Sequence, residues 1–172
     1  MGLDEIMREC ANQRARCAGK SVDELLAITN GNEIEFIQFL EMAIQQKSER
    51  VGVDDMTEEE IVVLAVEALE REVNNGGYIQ FFVNSSREYT PIIVHALFRI
   101  NCPQTAEITK SAIAAAGFQG LAPMALAEAL EAYSDDGNQE LDECDQLYYR
   151  AGENIGGQLI DYVKANKNAI QP

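Results

Sequence analysis

The sequence predicts an all-α fold: a single compact multi-helix domain, residues 1–172, of about eight to ten helices. Three observations predict it. Apolar residues recur three, four and seven positions apart in one segment after another, the spacing of a helix with one buried stripe. Helix start signals (Ser21, Thr57, Pro91, Pro103, Pro123) alternate with stop signals (Gly31, Gly76-Gly77, Gly117) along the chain. No run alternates polar and apolar residues as a half-buried strand would, and no fixed-period repeat is present. With 172 residues, 47% of them hydrophobic, the chain is long enough to bury a real core without disulfide or metal staples.

Taken in order, Leu3, Ile6, Met7, Cys10 and Cys17 mark a first helix, and Ser21 caps a second one before Asn30-Gly31 stops it. Ile34, Phe36, Ile37, Phe39, Leu40 and Ile44 give a long helix to about Arg50. Thr57 and Glu60 form a capping box that opens a helix through Val62, Ala65, Val66, Leu69 and Val73, and Asn75-Gly76-Gly77 ends it. Tyr78 to Phe82 is a short core helix with Asn84-Ser85-Ser86 as its exit. Thr90-Pro91 then reads as a cap with proline at the first helical position, opening a helix to Ile100. Pro103 opens the next, ending at Gly117, and Pro123 another through Tyr133. Asp135-Asp136-Gly137-Asn138 is a polar loop. Leu141, Leu147 and Tyr148 mark a helix to about Asn154, and Gly156-Gly157 precedes a final amphipathic segment with Leu159, Ile160 and Val163.

The 29 acidic and 13 basic residues give a net charge of −16. Such a surface repels nucleic acid and anionic membrane and attracts basic proteins. The charge is not spread evenly. Residues 51–86 carry eight acids and one base, Arg71; residues 111–149 carry eight acids and no base, so these two segments hold −15 of the total. The candidate partner-contacting residues are Asp54, Asp55, Glu59, Glu67 and Glu70 in the first segment. In the second they are Glu128, Glu131, Asp135, Asp136, Glu140, Asp142, Glu143 and Asp145. Glu67 with Glu70, and Glu128 with Glu131, stand three apart on helices, which places their side chains roughly 5 to 6 Å apart on one side. Like charges so spaced cost a helix a few tenths of a kcal/mol per pair, so a benefit elsewhere is expected to offset them. First-turn acids have a purely helical explanation in the macrodipole, as do Glu58, Glu59 and Glu60, and Glu67 has Arg71 at i,i+4. The second segment holds no cation to pair with locally.

Catalytic constellations do not assemble. The lone histidine, His95, lies in the apolar stretch Ile92 to Leu97, where packing explains it better than acid–base work. No histidine or cysteine spacing suits a transition metal, and Gly137 misses the sixth position of a calcium-binding loop. Gly76-Gly77 and Gly156-Gly157 lack the strand, lysine and hydroxyl of a phosphate loop. Asp142 with Asp145 is a carboxylate pair on a solvated face, without a predicted cleft. No enzyme activity, cofactor or metal is therefore expected. Cys10, Cys17, Cys102 and Cys144 form no Cys-x-x-Cys pair, and on one helix Cys10 and Cys17 stand about 10 Å apart, beyond disulfide reach. Reduced thiols, an acidic opening Met1 to Glu5 and no apolar span of membrane length point to a cytoplasmic protein.

The stretch Asn75-Gly76-Gly77-Tyr78-Ile79-Gln80-Phe81-Phe82-Val83-Asn84-Ser85-Ser86, followed by Tyr89, Ala96-Leu97, Thr105-Ala106 and Ala112-Ile113, resembles a bacterial family, that of the 19 kDa acidic DNA-mimic protein. The likeness is best over residues 57–117. It implies an all-α homodimer whose surface carboxylates imitate duplex phosphates and occupy the DNA-binding face of a transcriptional regulator or histone-like nucleoid protein. The signature itself reads as a fold motif, glycines ending a helix and aromatics entering the core, so the mimic reading rests on acidity added to the fold. The alternative is a regulatory or immunity-type module that recognises its partner through the aromatic-rich Tyr78 to Phe82 region, its acidity serving solubility only.

Overall fold

A computed structural model describes residues 2–133 and 139–172, and among them the chain is all-α. The helices are α1 (Leu3–Cys17), α2 (Val22–Ile28), α3 (Glu33–Val51), α4 (Glu58–Val83), α5 (Ile93–Arg99), α6 (Pro103–Ala115), α7 (Pro123–Ala132), α8 (Gln139–Ala151) and α9 (Ile155–Ala165), with short 3-10 turns at Val53–Asp55 and Ser85–Tyr89. Their contacts group into two compact units, residues 1–64 with 160–172, and residues 65–159.

In the first unit local chemistry sets the helix ends. Ser21 and Glu24 form a capping box at the start of α2, and the Asn32 side chain accepts from the Glu35 N–H at the start of α3. Asn30 and Gly31 take the left-handed conformation between them. The buried face of α3 is Phe36, Ile37, Phe39, Leu40, Ala43 and Ile44, each large side chain contributing roughly 1.5 to 3 kcal/mol by leaving water. Against α3 lies the C-terminal half of α1: Arg14 pairs with Glu49 at 2.6 Å, and the Arg16 guanidinium stands 4.7 Å from the Phe39 ring centre. The predicted Thr57–Glu60 box is present in both directions, at 3.0 and 3.2 Å. Glu60 does more than cap. Its fully buried carboxylate also binds Lys47 Nζ at 2.8 Å and accepts the Gln171 N–H at 2.8 Å, fastening the C-terminal segment.

The second unit is organised by the break in α4. Gly76 and Gly77 are non-helical, Gly77 at φ +76, so the chain turns sharply and resumes as a helical turn through Val83. Tyr78, Phe81 and Phe82 thereby all point inward and are fully buried. Phe82 meets Phe118 and Tyr133 edge-on, and Tyr78 meets Tyr148 at 5.9 Å and 88°. The Tyr78 hydroxyl shares a 2.7 Å hydrogen bond with Thr109 on α6. Pro103 opens α6 and Pro123 opens α7, as the sequence predicts.

Two local expectations fail for physical reasons. Thr90 does not cap a helix: its own φ/ψ are already helical and its N–H bonds Arg87, so it closes the preceding 3-10 turn, and α5 starts at Ile93. Gly156 and Gly157 lie inside the first turn of α9 rather than before it, because the Asn154 side chain supplies the cap by accepting from the Gly157 N–H at 3.1 Å. All four cysteines are free thiols, Cys10 exposed and the others buried. Among the described residues no helix is long and apolar enough to cross a membrane.

Candidate functional site: acidic helix faces

On α8 the apolar residues Leu141, Cys144 and Tyr148 recur at i, i+3 and i+7 and are buried. That stripe fixes the opposite side. Glu140, Asp142 and Glu143 are exposed, three carboxylates on one turn of a helix whose only basic residue is Arg150 in its last turn. On α7 Leu126 and Leu130 are buried, and Glu128 and Glu131 face solvent. Asp135 and Asp136, between the two helices in sequence, lie outside the described residues.

The carboxylates of the first acidic segment divide differently. Asp54 and Asp55 are exposed in their 3-10 turn, and Glu59 and Glu67 are half-buried. Glu70 turns inward and accepts the Tyr148 hydroxyl. Burial pushes its carboxyl above the ordinary range, against the lowering effect of that bond, and the tyrosine is pushed up as well, by burial and by the adjacent Glu70. Asp145 behaves likewise: it accepts the Tyr78 N–H at 2.8 Å beside Gly77, and burial raises it while that N–H lowers it. Glu70 and Asp145, grouped by sequence with the solvent-facing acids, are thus engaged within the protein, joining α8 to the two arms of α4. Asp142 and Asp145 do not form a surface pair.

Glu72 was not among the candidates, yet it explains the signature residues. Its buried carboxylate accepts from Gln80 Nε2 at 2.9 Å, Asn84 Nδ2 at 2.7 Å and Ser86 Oγ at 2.9 Å. Burial alone pushes Glu72 up, but the three donors outweigh it and hold the carboxyl below its ordinary value of 4.5. Glu153 is held low in the same way, burial being outweighed by the Thr105 hydroxyl and the Thr105 and Gln104 N–H groups at the start of α6. A sequence signal for Glu72 existed: amides and a hydroxyl at 80, 84 and 86, in an otherwise aromatic core segment, require an internal acceptor.

These opposed shifts give a testable pH signature. Glu72, depressed in the fold, adds stability above its unfolded value that disappears as pH falls through its folded value. Glu70, raised in the fold, adds stability present below its unfolded value and lost as pH rises through its folded one. Denaturant titrations should therefore show the advantage of wild type over Glu72→Gln shrinking on acidification below about pH 4.5, and that over Glu70→Gln growing as pH falls from neutrality towards about 4.5 and levelling off below it. Two pH-independent differences would contradict these environments.

The aromatic region offered as an alternative recognition surface is core: Tyr78, Phe81 and Phe82 present nothing to a partner. His95 is exposed on α5. Among the described residues, no three His, Cys, Asp or Glu side chains group so as to hold a metal ion. A search of curated proteins finds no match to the chain. The family model described as DMP19-like protein matches residues 54–166, which takes in the Gly76-Gly77 break, the Glu72 network and both carboxylate-bearing helices α7 and α8. With about two thirds of its length matched and the aromatic-amide signature built into its core, the chain belongs to the DMP19-like family, the DNA-mimic family its sequence resembles.

Proposed function

We propose that this protein binds the DNA-binding surface of a basic protein, a transcriptional regulator or histone-like nucleoid protein, and keeps DNA off it. The observation that carries this reading is the pair of outward faces on α7 and α8. Glu128, Glu131, Glu140, Asp142 and Glu143 are all exposed there, in a 39-residue stretch, 111–149, without a single lysine or arginine. Neighbouring carboxylates on each helix stand roughly 5 to 6 Å apart. A duplex presents one negative charge per about 1.7 Å of its axis, denser than the carboxylates here, and cations arranged for phosphates meet charges of the same sign on these helix faces. Asp54, Asp55, Glu59 and Glu67 are further candidate contacts in this reading, taken separately from the α7 and α8 faces, and Asp135 and Asp136 join the latter by their place in the sequence. Glu70 and Asp145 serve instead to hold α8 in position. The working form in this reading is a cytoplasmic homodimer that uses no cofactor.

A contact of this kind depends on salt. Titrating a histone-like protein with this protein by calorimetry should give an affinity that drops roughly 10³-fold between about 50 and 200 mM salt if some six charges are engaged. Affinity independent of salt would contradict a charge-dominated contact.

A further inference from the structure

On α8 the exposed residues Asp142, Gln146 and Tyr149 recur at i, i+4 and i+7, so they form one row along the helix, beside the buried stripe of Leu141, Cys144 and Tyr148. Asp142 and Tyr149 differ by only about 20° around the axis and by roughly 10 Å along it. The row begins with a carboxylate and ends with a ring. Tyr149 is 58% exposed, yet its side chain is held at both ends. The backbone of α8 fixes one, and at the other the hydroxyl donates to the Val73 carbonyl at 2.6 Å, in the last turn of α4 before the Gly76 break. Tyr148 meets the ring edge-to-face, at 5.7 Å and 90°. Whichever of the two supplies the edge, that contact occupies at most one face of Tyr149. An exposed aromatic face is therefore set in place before a partner arrives, and little side-chain freedom is lost when it is covered.

We propose that Tyr149 stacks on an arginine guanidinium of the basic partner; the inference rests on the acidic-face reading and adds to it a preference for arginine over lysine. The face of a tyrosine ring is electronegative and attracts a cation. Three neighbouring features add negative charge there. Asp142 stands in the same row, Asp145 carries a half-buried carboxylate four positions before Tyr149, and the end of the first arm of α4, where the hydroxyl is anchored, carries the partial negative charge of a helix C-terminus. The adjacent cation, Arg150, is turned about 100° further round the helix and bonds Gln146 at 3.3 Å. A partner with one cation on Asp142 and a second roughly 10 Å away sets the second over the ring. Arginine suits that place because its guanidinium is planar and weakly hydrated, whereas the lysine ammonium holds its water more tightly. A phosphate backbone offers no such ring, so Tyr149 gives the protein a means of choosing among DNA-binding surfaces of equal charge.

Two labelled synthetic peptides of equal length and charge, one of arginines alternating with glycines and one of lysines alternating with glycines, test this by fluorescence anisotropy at low ionic strength. Wild type should bind the arginine peptide more tightly. Tyr149→Leu should weaken the arginine peptide about threefold and the lysine peptide by clearly less, while Tyr149→Phe, which keeps the ring, should retain most of the arginine preference. Proton NMR of the arginine peptide supplies a readout that a loosened α8 would not imitate: the side-chain δ-methylene signals should move upfield, under the ring current, with wild type and Tyr149→Phe but not with Tyr149→Leu. Equal weakening of both peptides by Tyr149→Leu, an arginine preference that survives it, or no upfield shift with wild type would overturn the stacking role and leave the charge reading standing. Failure of both peptides to bind wild type would overturn the two together.

Discussion

Replacing Gly77 by alanine should cost about 3 to 4 kcal/mol of folding stability, against about 1 to 2 kcal/mol for Gly31→Ala. Both glycines have positive φ, +76 and +82, and both substitutions place an L side chain where it is disfavoured. Only one of them also meets another residue. A Cβ at Gly31 enters open space, whereas a Cβ at Gly77 runs into the Asp145 carboxylate that accepts the Tyr78 N–H. Alanine at 77 therefore pushes Asp145 off its donor, strands a buried N–H and loosens α8 from the break in α4. Urea unfolding of the two variants checks this. Equal losses would mean that Asp145 does not hold the two elements together.

Reversing Glu140, Asp142 and Glu143 together to lysine should weaken binding to a histone-like protein by at least about 100-fold at physiological salt, while leaving the unfolding midpoint nearly unchanged. The exposed side of α8 makes both expectations reasonable. Six units of charge change on the proposed contact face, and each engaged charge contributes to a salt-sensitive affinity. On a solvated helix surface, substitutions of this kind usually stay within about 0.5 kcal/mol each. Asp145→Lys is the contrasting case. It should unfold the protein at lower denaturant, because its carboxylate is half-buried against Tyr78. Retained affinity in the triple variant would remove α8 from the binding surface.

The elements whose causes are local were legible in the sequence. Ser21 with Glu24 and Thr57 with Glu60 are capping pairs three residues apart, and Pro103 and Pro123 start helices by their own fixed φ. Gly76-Gly77 was readable as a break, though not as the seat of Asp145. What sequence reading could not supply was the partner of each carboxylate, since Glu70 bonds Tyr148 from 78 residues away and Asp145 bonds Tyr78 from 67. Even so, a stricter use of helical spacing would have separated these two from the surface acids. Glu70 is four after Val66 and three before Val73, and Asp145 is four after Leu141 and three before Tyr148, all of them buried positions. Glu140, Asp142 and Glu143 fall off those stripes and are exposed. Thr90 shows the converse limit: a threonine before proline has a capping signature, but its backbone was already committed to a 3-10 turn.

The most direct test of the central claim is displacement of a fluorescently labelled DNA duplex from a histone-like protein by this protein, followed by anisotropy at low ionic strength. The acidic-face account predicts full displacement, progressively lost as salt is raised and absent with the Glu140, Asp142 and Glu143 reversals. A duplex that stays bound at every concentration of this protein, with the basic protein free to exchange, would contradict it.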